Sequence, residues 1–303
     1  MDRREIISLF FKGLAIGTAD SVPGVSGGTI AFISGIYTRL LEALRNCHPG
    51  KLPLLWREGP GAFWRSIHGT FLLTLALGIL TALILMANLV LHLLETRFVL
   101  VMAFFLGLVI ASCWLMRNEP APWTASRYLA FIAGFTFTVL ITMLNPASGS
   151  QSLVYLFLSG ALAICAMILP GMSGAFILLL LGVYEYVLDA LRSVQLDIIV
   201  VFAAGCLLGL MAFSHLLSWV LRRFPHQSYA FLIGMMAASI IVLWPWSREP
   251  ELIVVAEILP ALLAVAAGTA LILAFARFAR STQTGSTQTG STQKRVDNPL
   301  IRP

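Results

Sequence analysis

Charge is what this sequence has least of. Only 11% of its 303 residues are Asp, Glu, Lys or Arg, against roughly 25% in soluble domains, and mean hydropathy is +0.88. A soluble globular domain is excluded. The four cysteines, Cys47, Cys113, Cys165 and Cys206, stand far apart without a CxxC pair, and the five histidines are equally scattered. Neither a disulfide framework nor a zinc site is suggested, and no cofactor or metal is expected. The net charge of +6 does not call for a nucleic-acid partner, because the orientation rule for membrane proteins accounts for it.

What the chain does have is long apolar runs. A helix that crosses a bilayer needs about 20 residues, and runs of about that length extend over 70–94, 98–116, 128–144, 198–221, 229–246 and 252–275. An earlier apolar stretch from Ile6 follows Asp2-Arg3-Arg4-Glu5 but contains Lys12 and Asp20 and meets no small-residue cleavage site. It reads as mature structure rather than a signal peptide. The expected fold class is an all-α polytopic membrane protein, with 1–280 as one transmembrane domain. Residues 281–303 begin with repeats of STQTG, a composition that buries no core, and are expected to form a disordered cytoplasmic tail.

The chain also matches itself. Gly13 to Arg45 overlies Gly160 to Arg192 without gaps at an offset of 147, with 13 identities in 33 positions. The shared residues include Pro23/Pro170, Gly24/Gly171, Ser26/Ser173, Gly27/Gly174, Gly35/Gly182 and Tyr37/Tyr184. A weaker match at an offset of 127 pairs Gly78 with Gly205, Asn88 with His215, Gly107 with Gly234 and Ser112 with Ser239. The change of offset marks a 20-residue insertion in the first half, within 46–68, whose prolines and charges read as a surface loop.

Each repeat, about 6–146 and about 152–278, is then one broken hydrophobic segment followed by three spans. Three is odd, so the halves enter the membrane from opposite sides and the repeat is inverted. Counted on this topology, 17 Lys and Arg lie on the side of the termini and 3 on the other, which places both termini in the cytoplasm.

The breaks carry the chemistry: DSVPGVSGGTI from Asp20 to Ile30, and MILPGMSGAFI from Met167 to Ile177. After the first, only ten residues, Thr29 to Thr38, precede Arg39. At helical rise that is about 15 Å, half a bilayer. Two re-entrant hairpins are expected, their tips meeting near the midplane. Irregular backbone at such depth survives only where protein or a wet cavity satisfies it.

The tips suit an anion. First-turn N–H groups favour a phosphate or carboxylate, Gly24, Gly27, Gly28, Gly171 and Gly174 allow close backbone approach, and Ser26, Thr29 and Ser173 add hydroxyls. Broken helices at matching places in inverted repeats also point to a transporter's binding site. The plainer alternative is that Pro23 and Pro170 turn a hairpin and that each serine caps the next helix.

Asp20, whose repeat counterpart is Met167, is the one carboxylate deep in a hydrophobic segment. It is a candidate for proton coupling, or else an acceptor for turn N–H groups. Lys12, Arg39, Arg45 and Arg192 lie on hairpin arms or ends, where each would meet an anionic lipid headgroup, although snorkelling serves Arg45 as well. Tyr37 and Tyr184 are expected in the interfacial aromatic belt, and Asn88 and His215 in interhelical hydrogen bonds.

At these residues, Gly13 to Tyr37 and Leu169 to Tyr184, the chain resembles a bacterial and archaeal membrane family described as polyprenyl-phosphate transporters. The resemblance extends to about Arg277. It implies translocation of undecaprenyl phosphate from the outer to the inner leaflet of the cytoplasmic membrane, which recycles the lipid carrier of envelope glycans. The partners would be that lipid and its neighbours in the bilayer.

Two other readings share the motif. A lipid-pyrophosphate phosphatase has similar hairpins, but its chemistry wants a cation and usually a carboxylate-held metal beside the serine. Here Ser26 is followed by Gly27-Gly28, and Ser173 by Gly174-Ala175, with no Arg, His or Glu cluster. A small-anion transporter would suit the same tips, and only the resemblance argues against it.

Overall fold

A computed structural model describes residues 1–20, 26–119, 122–246 and 257–274, and every regular element among them is helical. The first half runs α1 (Arg3–Asp20), α2 (Gly27–Ile33), α3 (Tyr37–Asn46), the short α4 (Leu52–Arg57) and α5 (Pro60–Ser66), α6 (Gly69–Thr96), α7 (Phe98–Met116) and α8 (Ala125–Thr142). The second runs α9 (Leu153–Ile168), α10 (Gly174–Leu180), α11 (Tyr184–Arg192), α12 (Leu196–Arg223), α13 (Pro225–Val242) and α14 (Glu257–Ala274). Among the described residues, α7, α8, α12, α13 and α14 are each long and apolar enough to cross a membrane. The number rises to seven if the bent pairs α5–α6 and α10–α11 each count as one span. The chain is a multi-pass membrane protein.

Glycine sets how closely the long helices approach. In α1 against α6, Gly78 lies on the Phe10 carbonyl and Gly13 on that of Leu75. In α9 against α12, Gly205 lies on the Phe157 carbonyl and Gly160 on that of Phe202. In α8 against α13, Gly134 faces Phe231 and Gly234 faces Phe131, while α7 meets α14 through Gly107 on Val265 and Gly268 on Phe104. Small residues let backbones touch where no hydrophobic drive separates helix from lipid. Half of α7 and of α13 is buried, against 11–17% for α8, α12 and α14, so α7 and α13 form the middle of the bundle.

Three local expectations change. The arms after the breaks are seven residues long, not ten, because α2 and α10 stop at Gly35 (φ +70) and Gly182 (φ +67). There Ile36 N–H donates to the Ala31 carbonyl and Val183 N–H to the Leu178 carbonyl, a Schellman closure that needs a left-handed residue. The chain then turns into α3 and α11, with α10 and α11 bent by 110°.

The 46–68 segment is not an open loop but carries α4 and α5. Pro53 and Pro60 sit in their first turns, where a missing N–H costs no hydrogen bond. Tyr37, expected in the aromatic belt, is 3% exposed and packs edge-on against Phe32 at 5.2 Å. The tail at 281–303 lies outside the described residues.

Candidate functional site

The first tip begins where α1 ends. Asp20 Oδ1 accepts from Gly27 N–H at 2.6 Å; residues 21–25, Pro23 and Gly24 among them, lie outside the described residues. Ser26 is the N-cap of α2: its backbone is extended (φ −119, ψ 127) and its Oγ accepts from Gly28 N–H at 3.2 Å. Its carbonyl accepts from Thr29 N–H at 2.9 Å. Capping of this kind satisfies first-turn donors that a helix leaves open.

The second tip follows α9 through Leu169 and the buried Pro170 to Gly171, which holds φ +82 with one side against the Met235 carbonyl. Ser173 then caps α10, its Oγ accepting from Phe176 N–H at 3.4 Å.

The two tips touch. Ser26 Oγ donates to the Leu169 carbonyl at 3.1 Å, and Gly171 N–H donates to Thr29 Oγ1 at 3.0 Å. Gly28 abuts the second tip so closely that a Cβ there would lie 2.7 Å from the Ile168 carbonyl. Ser26 and Thr29 are 2% and 1% exposed. Residues 143 apart in the chain thus share one buried polar junction.

The model of a family described as undecaprenyl phosphate translocase-like matches residues 16–257. The chain is 47% identical over 242 residues to a polyprenyl-phosphate transporter of Vibrio cholerae, covering 80% of this chain and 79% of that one. It is 31% identical over 263 residues to a polyprenyl-phosphate transporter of Staphylococcus aureus, covering 77% and 84%. This chain belongs to the undecaprenyl phosphate translocase-like family. The two relatives carry transporter names, in agreement with a membrane transporter rather than an enzyme. No solved structure matches the chain.

Within this family member, the sequence-expected residues divide into two groups. Asp20, Ser26, Gly27, Gly28, Thr29, Pro170 and Gly171 meet at the junction, with Ser173 and Gly174 in the first turn of α10. Arg39 does not join them. It pairs with Glu5 at 2.6 Å and lies over the Phe71 ring at 4.6 Å. Glu5 and Asp20 are at opposite ends of α1, about 22 Å apart at helical rise.

The junction is asymmetric where the two copies differ in sequence. Gly27 lies against the Asp20 carboxylate, whereas Gly174 lies against Met167 and the Ala163 carbonyl. At the far end of each short helix the same carbonyl is capped by different chemistry. Lys12 Nζ donates to the Ser34 carbonyl at 3.0 Å, and Tyr155 Oη donates to that of Leu181 at 2.9 Å. Ser34 and Leu181 correspond at the 147 offset. Tyr155 escaped the sequence reading because it lies outside the matched block, with Ser8 at its place in the first copy. The Leu169 carbonyl escaped it because a backbone acceptor has no residue signature.

His215 of the offset pair donates from Nδ1 to the Met211 carbonyl of its own helix at 2.8 Å, and its ring meets that of His48 edge-on at 6.0 Å. Among the described residues, neither contact reaches the junction.

Proposed function

We propose that this chain carries polyprenyl phosphate across the cytoplasmic membrane, from the outer to the inner leaflet, with its phosphate held between the two tips. The observation that carries this reading is the paired contact of Ser26 with Leu169 and of Thr29 with Gly171, in a family whose curated relatives are named for that lipid. A phosphate drawn toward the bilayer interior must exchange its hydration for preorganised donors, because bare charge there costs several kcal/mol or more. One tip offers few donors. Two tips surround the oxygens with the N–H groups of Gly27, Gly28, Gly171 and Gly174 and the hydroxyls of Ser26, Thr29 and Ser173. With seven residues each, α2 and α10 contribute these N–H groups rather than a long macrodipole.

The architecture we infer is an inverted repeat in one transmembrane domain, 1–280, with re-entrant hairpins and both termini cytoplasmic. The matched glycine contacts of α1–α6 and α9–α12 support it, as does the 17 to 3 distribution of basic residues. Alternate opening of the junction toward either leaflet is then a consequence of the symmetry.

The mechanism starts from occupied donors. Gly27 N–H is held by Asp20, Gly28 N–H by Ser26 and Gly171 N–H by Thr29, so the closed junction has no place for a headgroup. A phosphate enters by replacing these partners, and the Asp20 carboxylate, itself an anion on Gly27 N–H, is the one it displaces. Two anions at one poorly solvated site repel strongly, so a proton joins Asp20 as the phosphate arrives and leaves when it departs. Pro170 and Gly171 complete the second tip; their counterparts in sequence, Pro23 and Gly24, lie outside the described residues. Arg39, remote from the junction, serves as a headgroup contact at the membrane surface after its Glu5 partner swings away.

Proteoliposomes with labelled undecaprenyl phosphate, assayed with and without a pH gradient, test this directly. Transport that responds to the gradient is expected. No transport beyond protein-free vesicles would overturn the reading.

A further inference from the structure

A second place suited to a lipid phosphate lies away from the tips. The C-terminal end of α7, the start of α8 and the middle of α13 enclose a lateral cleft of about 410 Å³, within the roughly 300–1,000 Å³ range of small-ligand sites. Trp123, Tyr128 and Phe131 form one wall as a continuous aromatic face, with ring centroids 4.9 and 6.1 Å apart along it. Ile110 and Trp114 form the opposite wall, and Ile233 and Ala237 line its α13 side.

Among the described residues, one charged side chain lines this apolar cleft, Arg117. Its guanidinium lies 3.7 Å over the Trp114 ring and donates to the Trp114 carbonyl at 2.6 Å. Those contacts hold the guanidinium against Trp114 at the rim of the cleft, and Trp123 Nε1 donates to the Arg117 carbonyl at 2.9 Å, fastening the aromatic wall to the same residue. Among the described residues Arg117 forms no ion pair, and a guanidinium carries five donors in a fork matched to phosphate.

A snorkelling anchor would explain an arginine at the end of a span, but the repeat does not require one here. At the 127 offset that pairs Gly107 with Gly234 and Ser112 with Ser239, Arg117 corresponds to Trp244, whose neighbour in space is Trp246 at 5.7 Å. No basic residue stands at the corresponding position of the second copy.

The geometry points to a docking site for the polyprenyl phosphate itself, with the phosphate on Arg117 and the first part of the single prenyl chain in the aromatic cleft. One cation beside one narrow groove matches a lipid with one chain and one phosphate. The groove follows α7 from Arg117 back to Ile110, about 10 Å at helical rise, so the rest of the chain stays in the bilayer. α13 connects the two places, since Met235 backs Gly171 of the second tip while Ile233 and Ala237 line the cleft. This assignment rests on polyprenyl phosphate being the substrate.

The test uses the full chain in nanodiscs and a polyprenyl phosphate bearing a diazirine near its first isoprene unit, with crosslinked peptides mapped by mass spectrometry. Labelling of 110–117 or 123–131 is expected, competed by undecaprenyl phosphate but not by phosphatidylglycerol. Arg117→Gln should lower that labelling tenfold or more, on the order expected for hydrogen bonds to a charged group, and Arg117→Lys should restore part of it. Ala237→Trp, which fills the cleft, should abolish it. Equal competition by phosphatidylglycerol, or labelling unchanged in Arg117→Gln and Ala237→Trp, overturns the site. If the cleft stays unlabelled while the tips are labelled and the wild type translocates the lipid, this site fails and the substrate reading stands. If the wild type neither binds nor translocates the lipid, both fail.

Discussion

Replacing Thr29 with valine isolates one of the two bonds that join the tips. Valine keeps the branched shape and volume that fit a position 1% exposed, but it leaves Gly171 N–H without its acceptor. That N–H cannot readily find another. Gly171 is fixed at φ +82 with the Met235 carbonyl close beside it. A buried donor left unsatisfied costs about 1–3 kcal/mol, and because the loss falls on the closed junction alone, the population of separated tips should rise roughly 5- to 150-fold. Amide hydrogen exchange reads this directly. In nanodiscs, a peptide covering 168–176 should exchange faster by that factor in Thr29→Val, while peptides from α4 and α5, which touch neither tip, exchange as in the wild type. Unchanged exchange at 168–176 in a folded variant would refute the argument that this hydrogen bond closes the junction.

Gly28 and Ala175 occupy equivalent positions, yet a Cβ at Gly28 would meet the Ile168 carbonyl whereas Ala175 is exposed. Gly28→Ala should therefore destabilise the protein by about 1–3 kcal/mol, with Ala175→Gly costing no more than about 1 kcal/mol, as thermal denaturation in detergent would measure. Asp20→Asn retains an oxygen for Gly27 N–H, so folding should persist while the pH dependence of transport disappears; a variant with the wild-type pH response would leave Asp20 as a turn acceptor only. A reporter fused after Pro303 should be active only in the cytoplasm, and periplasmic activity would reverse the topology.

Local sequence alone dictates much of this protein. Apolar runs of bilayer length became helices in α6, α7, α8, α12, α13 and α14, since in lipid a backbone must satisfy its own polar groups. The Pro-Gly-x-Ser-Gly segment of the second copy breaks its helix where proline and a left-handed glycine demand a break, and Ser26 and Ser173 are N-caps, as a serine before a short helix tends to be. Gly13 with Gly160 and Gly78 with Gly205, paired in the self-match, each lie against a carbonyl of the neighbouring helix.

Tertiary structure decided the rest. Nothing in the sequence distinguishes a lipid-facing leucine from a core one, because both surroundings are apolar, so Tyr37 reads as a belt residue until packing buries it. The pairing of Ser26 with a backbone carbonyl 143 residues away, the use of Gly27 N–H by Asp20, and the removal of Arg39 to the far end of α1 all depend on how α1 and α9 lie against the bundle. Which donors a tip holds ready and which it has already given to its partner is a property of that packing, and hydrophobic periodicity carries no record of it.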